Sequence, residues 1–238
     1  ESAIATDCWA TISPASAREV MRCRVTPVSF SPLTSTQFSG ARPRQFGSRG
    51  RDIGVAAAKK LGIPLYDRNV LEKEAEEIDS TLHSLVEFSK NGMSESGYYK
   101  MAYPLGIGSA LKKDRMFELQ SKLVLKHAES ENCVIIGRCA DYLLRERENV
   151  IRCYIFAPYQ ARIRNSIMTL GLANAEPQRI IEEVDKARAE YYRSHTGCEV
   201  NNTRYRDLFL NSNLLGVEGT ADLIVDAVRR KFGLPEEK

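Results

Sequence analysis

The chain has no C-x-x-C pair and no closely spaced histidine pair. Its six cysteines stand apart at positions 8, 23, 133, 139, 153 and 198, and there are three histidines. That spacing argues against a zinc site. A disulfide framework is equally unexpected: 238 residues can bury a core without staples, and Cys133 and Cys153 lie in apolar runs. Also missing is any apolar run near the roughly 20 residues that span a bilayer, and the first thirty residues lack the apolar core of a secretory signal. A cytoplasmic protein with no membrane partner is the expectation. The net charge is only +3, with Lys and Arg mixed among Asp and Glu, so bulk charge gives no reason to expect a nucleic-acid partner. Nothing in the composition sets an oligomeric state.

Residues 1–44 are rich in Ser, Thr and Pro, show no sustained period, and are broken by Pro14, Pro27, Pro32 and Pro43. They read as an irregular leader. From Gln45 the character changes. Gly47-Ser48-Arg49-Gly50 leads into Arg51–Leu61, where Ile53, Ala56, Ala57 and Leu61 share one helical face. Leu65-Tyr66-Asp67 reads as a short extended piece, and Asn69–Ile78 as a helix. Ser89–Gly108, rich in Gly, Ser and Tyr, reads as a mobile loop, and a helix follows over Met116–Ala128. Cys133–Gly137 is a wholly apolar run ended by glycine, as in a strand covered on both faces. The pattern predicts a helix over Ala140–Arg147, then strand Val150–Ala157 with helix Gln160–Leu170, a charged helix Pro177–Tyr192, and strand Asp207–Asn211 with helix Val217–Phe232. Such alternation implies an α/β fold with a parallel sheet flanked by helices.

In an open parallel sheet, ligands gather at the carboxyl ends of the strands, which singles out four places. Gly47, Ser48, Gly50, Arg51 and Asp52 surround a glycine turn feeding a helix. Converging N–H groups, a helix N-terminus and an arginine suit phosphate, although an ordinary helix-capping turn looks the same. Gly137-Arg138 follows an apolar run, where a guanidinium can fork onto phosphate oxygens or simply pair with Asp141 or Glu146. Asp185 and Arg188 share a helix face three residues apart, either as a surface ion pair or as a grip on a sugar hydroxyl and a phosphate. Asp67 is either a pocket carboxylate or a plain helix N-cap.

Taken in order, the blocks Gln-Phe-Gly-Ser-x-Gly-Arg-Asp-Ile-Gly, Leu-Gly-Ile-Pro-Leu-Tyr-Asp-Arg, Val-Ile-Ile-Gly-Arg-Cys-Ala-Asp-Tyr-Leu-Leu, Asp-Lys-Ala-Arg-Ala-x-Tyr-Tyr and Asn-Ser-x-x-Leu-Gly-Val-Glu-Gly resemble the cytidylate kinase-like family of P-loop nucleoside monophosphate kinases. The resemblance implies a P-loop three-layer α/β sandwich over 45–238, with a helical acceptor-binding insertion at about 67–115 and a lid at about 185–206. It implies transfer of the γ-phosphoryl of ATP, with Mg²⁺, to a nucleoside monophosphate, CMP or dCMP by preference. On the family pattern Gly47, Ser48, Gly50, Arg51 and Asp52 fall on the ATP-phosphate loop. Asp67, Arg138, Asp185 and Arg188 fall on the acceptor pocket, Arg51, Asp185 and Arg188 on the catalytic centre, and Lys186 and Arg193 on the lid. Such chemistry rests on positioning and charge neutralisation, so it asks for arginines rather than for histidine bases.

The departures from the family pattern lie on the donor side. Phe38-Ser39-Gly40-Ala41-Arg42-Pro43 stands where a buried strand would feed the loop, yet Pro43 cannot donate to a ladder and Arg42 would be buried. Arg49 stands where the family has glycine, and no lysine of the G-x-x-x-x-G-K-[ST] type follows. A non-catalytic nucleotide-binding protein with an altered phosphate loop is therefore the alternative expectation.

Overall fold

The computed structural model describes residues 9–13, 45–83, 109–170, 177–200 and 202–234. The expected loop Ser89–Gly108 lies outside them. In chain order the elements are β1 (Trp9–Ser13), α1 (Gly50–Leu61), β2 (Leu65–Tyr66), α2 (Arg68–Ile78), α3 (Ala110–Ser130), β3 (Cys133–Ile136), α4 (Ala140–Leu143), β4 (Ile151–Phe156), α5 (Tyr159–Leu170), α6 (Pro177–Thr196), β5 (Leu208–Asn211) and α7 (Ser212–Phe232). Short 3₁₀ turns occupy Ser80–Leu82 and Thr203–Tyr205.

The five strands form one sheet in the order β2-β3-β1-β4-β5. Two features of it differ from the expected parallel sheet preceded by an irregular leader. The pairs β2–β3 and β4–β5 are parallel, but β1 runs antiparallel to both of its neighbours, so the sheet is mixed. The central strand is drawn from residues 1–44: Ala10 faces Ile136 on one side and Cys153 on the other. A five-residue strand is too short to impress a period on a Pro- and Ser-rich stretch. Antiparallel pairing also needs no fixed crossover length, so a distant segment can enter the centre in reverse.

Alternation along the strands divides the core. Cys133 and Ile135 point into a cluster with Leu71, Leu82, Met116, Leu123, Val124 and Tyr192, drawn from α2 and the 3₁₀ turn after it, α3 and α6. Val134, Cys153 and Ile155 point the other way, into a cluster with Ile53, Ala57, Ala221, Ile224 and Val228 of α1 and α7. Helices thus cover both faces, and this is why Cys133–Ile136 reads as an unbroken apolar run. The thiols of Cys133, Cys139 and Cys153 are buried as small hydrophobes, and burial pushes the Cys153 pKa up.

Local chemistry sets the helix limits. α1 begins with Asp52 in its first turn, ends with Lys59 and Lys60, and stops at Gly62 in the left-handed region (φ 65°). α3 starts earlier than its apolar periodicity suggests because Ser109 caps it, accepting from Lys112 N at 3.4 Å. α4 stops at Leu143, short of the expected Arg147. Past it the backbone tightens to i→i+3 bonds, Arg145 N to Tyr142 O (3.2 Å) and Arg147 N to Leu144 O (3.0 Å), while the carbonyls of Leu144 and Arg145 also accept from Nη1 of the buried Arg152 (3.0 and 2.9 Å).

Candidate functional site

The glycine turn begins at Gln45 and runs into α1. Gly47 has φ 87°, and a Cβ there would stand 2.6 Å from the carbonyl oxygen of Arg162 and 2.7 Å from Ser166 Oγ, so only glycine fits. The side chain of Ser48 is buried, and its hydroxyl has no partner among the described residues. Arg49 occupies the N-cap of α1 in the left-handed region (φ 58°, ψ 20°), and its side chain leaves the helix uncapped while pairing with Asp52 at 2.9 Å. This is the position where glycine was expected, and the backbone keeps the glycine conformation without the glycine. An uncapped helix start beside a buried, unpartnered hydroxyl is a donor set that fits phosphate oxygens.

Arg51 reaches across to Asp67: its Nε and Nη2 donate to Oδ2 at 2.9 and 2.7 Å. The other oxygen of Asp67 accepts from the N–H groups of Asn69 and Val70 (2.9 and 3.2 Å), which makes Asp67 the N-cap of α2. Asp67 thus caps a helix and, with the same carboxylate, meets Arg51 beside the glycine turn.

Beyond β3 the chain makes a mirror-image turn. Gly137, Arg138 and Cys139 all have positive φ (78°, 58° and 58°), and Ala140 N donates back to Gly137 O at 3.1 Å. Two non-glycine residues in succession in the left-handed region cost about 1 to 2 kcal/mol each. Burial of Cys139 in the core offsets part of that. The turn delivers Arg138 inward: its side chain is buried, its Nη1 donates to Gln120 Oε1 at 3.3 Å, and its guanidinium lies 5.1 Å from the ring centre of Tyr191. Arg68, ion-paired to Glu72 at 2.5 Å, stands close by; burial lowers its pKa, Glu72 opposes that, and the charge of Arg138 lowers it further. His195 is also lowered by burial, with Asp114 opposing and Arg138 reinforcing the shift.

Helix α6 touches both the glycine turn and the Arg138 turn. Asp185 Oδ1 accepts from Phe46 N at 2.6 Å, and its Oδ2 pairs with Arg162 Nη2. One turn on, the guanidinium of Arg188 stands 5.7 Å from the ring centre of Phe46. Burial draws its pKa down to about 9, which leaves it charged at neutral pH. A further turn on, Tyr191 underlies Arg138. Lys186 points outward, and Arg193 forks onto Glu199 at 2.6 and 2.8 Å in an exposed pair. The sequence-derived residues therefore fall into linked groups: Arg51 with Asp67, Asp185 and Arg188 with the glycine turn, and Arg138 behind Tyr191. Lys186 and Arg193 stand on the outer face of α6.

Three residues of the site were not singled out from sequence. Arg162 is almost wholly buried and donates from Nε to Phe46 O at 2.8 Å; Asn165 Nδ2 donates to Gly47 O at 2.8 Å; Gln120 holds Arg138. Arg162 and Asn165 sit three apart on a helix whose composition is otherwise ordinary. The one available signal was an arginine on the apolar side of α5.

This arrangement coincides with what sequence comparison finds, since the model of the cytidylate kinase-like family matches residues 43–214, well over half of the chain. The chain belongs to the cytidylate kinase-like family. The match spans the glycine turn, Arg138 and α6. No curated protein matches the chain. Among solved structures, an uncharacterized protein from Eubacterium ventriosum superposes with a TM-score of 0.58 at 19% identity, covering 77% of this chain and 93% of that one. At that identity the likeness supports the fold alone. The cytidylate kinase-like assignment carries a nucleotide-kinase-like character, and no helix among the described residues is long and apolar enough to cross a membrane.

Proposed function

We propose that the protein transfers the γ-phosphoryl of ATP to a nucleoside monophosphate, with CMP or dCMP as the first-choice acceptor and the cytoplasm as its place of action. The observation that carries this reading is the placement of Arg188 on α6, between Asp185 at the glycine turn and Tyr191 beneath Arg138. Residues three apart on a helix rise about 4.5 Å, so one cation is held between a donor-phosphate cradle and an acceptor arginine. Phosphoryl transfer needs this more than it needs an acid or a base.

In this reading the turn Gly47, Ser48 and Gly50 and the start of α1 receive the donor phosphates. Arg51 and Arg188 offset the charge on the phosphoryl in flight, while Arg138 and Asp67 hold the acceptor. Lys186 and Arg193 belong to the outer lid. Mg²⁺ would be carried chiefly by the nucleotide phosphates, its usual mode of binding, and would supply neutralising charge there. The chain's own contribution is to orient the two nucleotides and to keep the cleft positively charged.

One observation favours the alternative, a nucleotide-binding protein without turnover: at the N-cap of α1 a left-handed arginine tied to Asp52 replaces glycine. An assay of ADP release over a panel of nucleoside monophosphates separates the two. Turnover with CMP or dCMP is expected; monophosphate binding without turnover on any of the panel would establish the alternative. Arg138→Ala should weaken acceptor binding by about 1.5 to 3 kcal/mol, the range for a charged hydrogen bond, and unchanged affinity would remove Arg138 from the acceptor site.

A further inference from the structure

We propose that Asp185, with Arg162 and Asn165 of α5, positions the phosphate-binding turn and couples it to α6, rather than contacting the acceptor as the family pattern would have it. The evidence is a closed set of bonds around one residue. Phe46 donates its N–H to Asp185 Oδ1 at 2.6 Å, its carbonyl accepts from Arg162 Nε at 2.8 Å, and Arg162 Nη2 pairs with Asp185 Oδ2 to complete the ring. The flanking residues are fastened as well. Asn165 Nδ2 holds Gly47 O at 2.8 Å, and the side-chain oxygen of Gln45 accepts from Ala157 N at 2.6 Å. Three consecutive residues of the turn are thus tied to segments more than a hundred positions away in the chain.

The character of the pair points the same way. Both partners are buried, with side-chain exposures of 2% for Arg162 and 7% for Asp185. A buried ion pair is a poor source of net stability compared with apolar packing of the same volume. Its value lies in geometry: a forked guanidinium and a carboxylate accept only a narrow range of placements for the peptide groups between them. Asp185 also lies one helical turn from Arg188. Any shift of α6 that moves Arg188 along the cleft therefore carries the turn with it, so the donor cradle and the cation facing it keep their spacing.

The consequence for ligand affinity rests on the kinase reading, whereas the existence of the clamp does not. Two measurements on the full chain keep them apart. The first is hydrogen exchange at the Phe46 amide. Replacing Asp185 by Ala removes the acceptor and should speed exchange by about 100-fold or more, and an unchanged rate would overturn the clamp whatever the protein does. The second is calorimetric binding of ATP and of CMP. Asp185→Ala and Arg162→Lys should each raise the Kd for ATP tenfold or more while changing that for CMP less than twofold, since lysine keeps the charge but lacks the planar fork that holds Phe46 O and Asp185 in fixed directions. Loss of CMP affinity with ATP binding intact would instead make Asp185 an acceptor contact and overturn the proposal. If the unaltered protein binds neither nucleotide, the kinase reading falls and the exchange experiment alone decides the clamp. Should Asp185→Ala fail to fold, Asn165→Ala, which removes only the bond to Gly47 O, must show the same split between donor and acceptor.

Discussion

Gly47 and Arg49 lie two positions apart in one turn, both with positive φ (87° and 58°), and substitution should act on them in opposite senses. Gly47 meets Arg162 O and Ser166 Oγ where a Cβ would go, so Gly47→Ala adds a clash to a backbone conformation that disfavours side chains. A loss of about 2 kcal/mol or more is expected in urea unfolding. Arg49 already bears the cost of its conformation, and its exposed pair with Asp52 returns little. Arg49→Gly should raise stability by about 0.5 to 1 kcal/mol, after allowing for the greater freedom of glycine in the unfolded chain; a loss instead would mean that the arginine side chain holds the turn. The glycine turn itself was legible from residues 47–50. What makes Gly47 irreplaceable was not, because the groups it touches belong to a helix more than a hundred residues onward. Arg138 divides in the same way: its position after an apolar run marked it, while its left-handed backbone and its bond to Gln120 depend on tertiary packing.

Among the elements, α2 offers the cleanest separation of structure from function, because Asp67 both caps it and meets Arg51. Asp67→Ala removes cap and charge together and should cost about 1 to 2 kcal/mol. Asp67→Asn keeps a capping oxygen and should cost a few tenths of that, so acceptor binding can be measured on a protein that is still folded. Equal destabilisation by both changes would show that the pair with Arg51, not the cap, dominates. Elements with a clear apolar signature, such as α1, β3 and β4, could be placed from sequence to within a few residues, whereas α7 starts at Ser212, five residues before the expected Val217, with a kink at Gly216 between. α4 could not be so placed, since the chain leaves it through i→i+3 turns whose carbonyls at Leu144 and Arg145 also meet the distant Arg152. Nor could the role of α5: burial of Arg162 is decided by the partner that Asp185 supplies from another helix, and a single charged residue carries no trace of that in its own neighbourhood.

At the scale of the molecule the unexpected feature is the sheet, whose centre is occupied by Trp9–Ser13 running against its neighbours. A strand paired on both sides has its N–H groups committed to one ladder or the other. Thr11→Pro should therefore lower stability by about 3 kcal/mol or more, seen as a shift of the urea midpoint, whereas an irregular leader would tolerate proline there without effect. The alternation of strands and helices after Gln45 made the α/β class readable, but pairing direction has no signature in so short a strand. The pairing also imposes a delay during synthesis. About 125 residues separate Ala10 from its partner Ile136, and at the roughly 5 to 20 residues per second of translation the ribosome needs on the order of ten seconds to make them. Throughout that interval the nascent chain has β1 but neither neighbour, so the sheet's middle is the first of the described strands to be made and among the last to find its place.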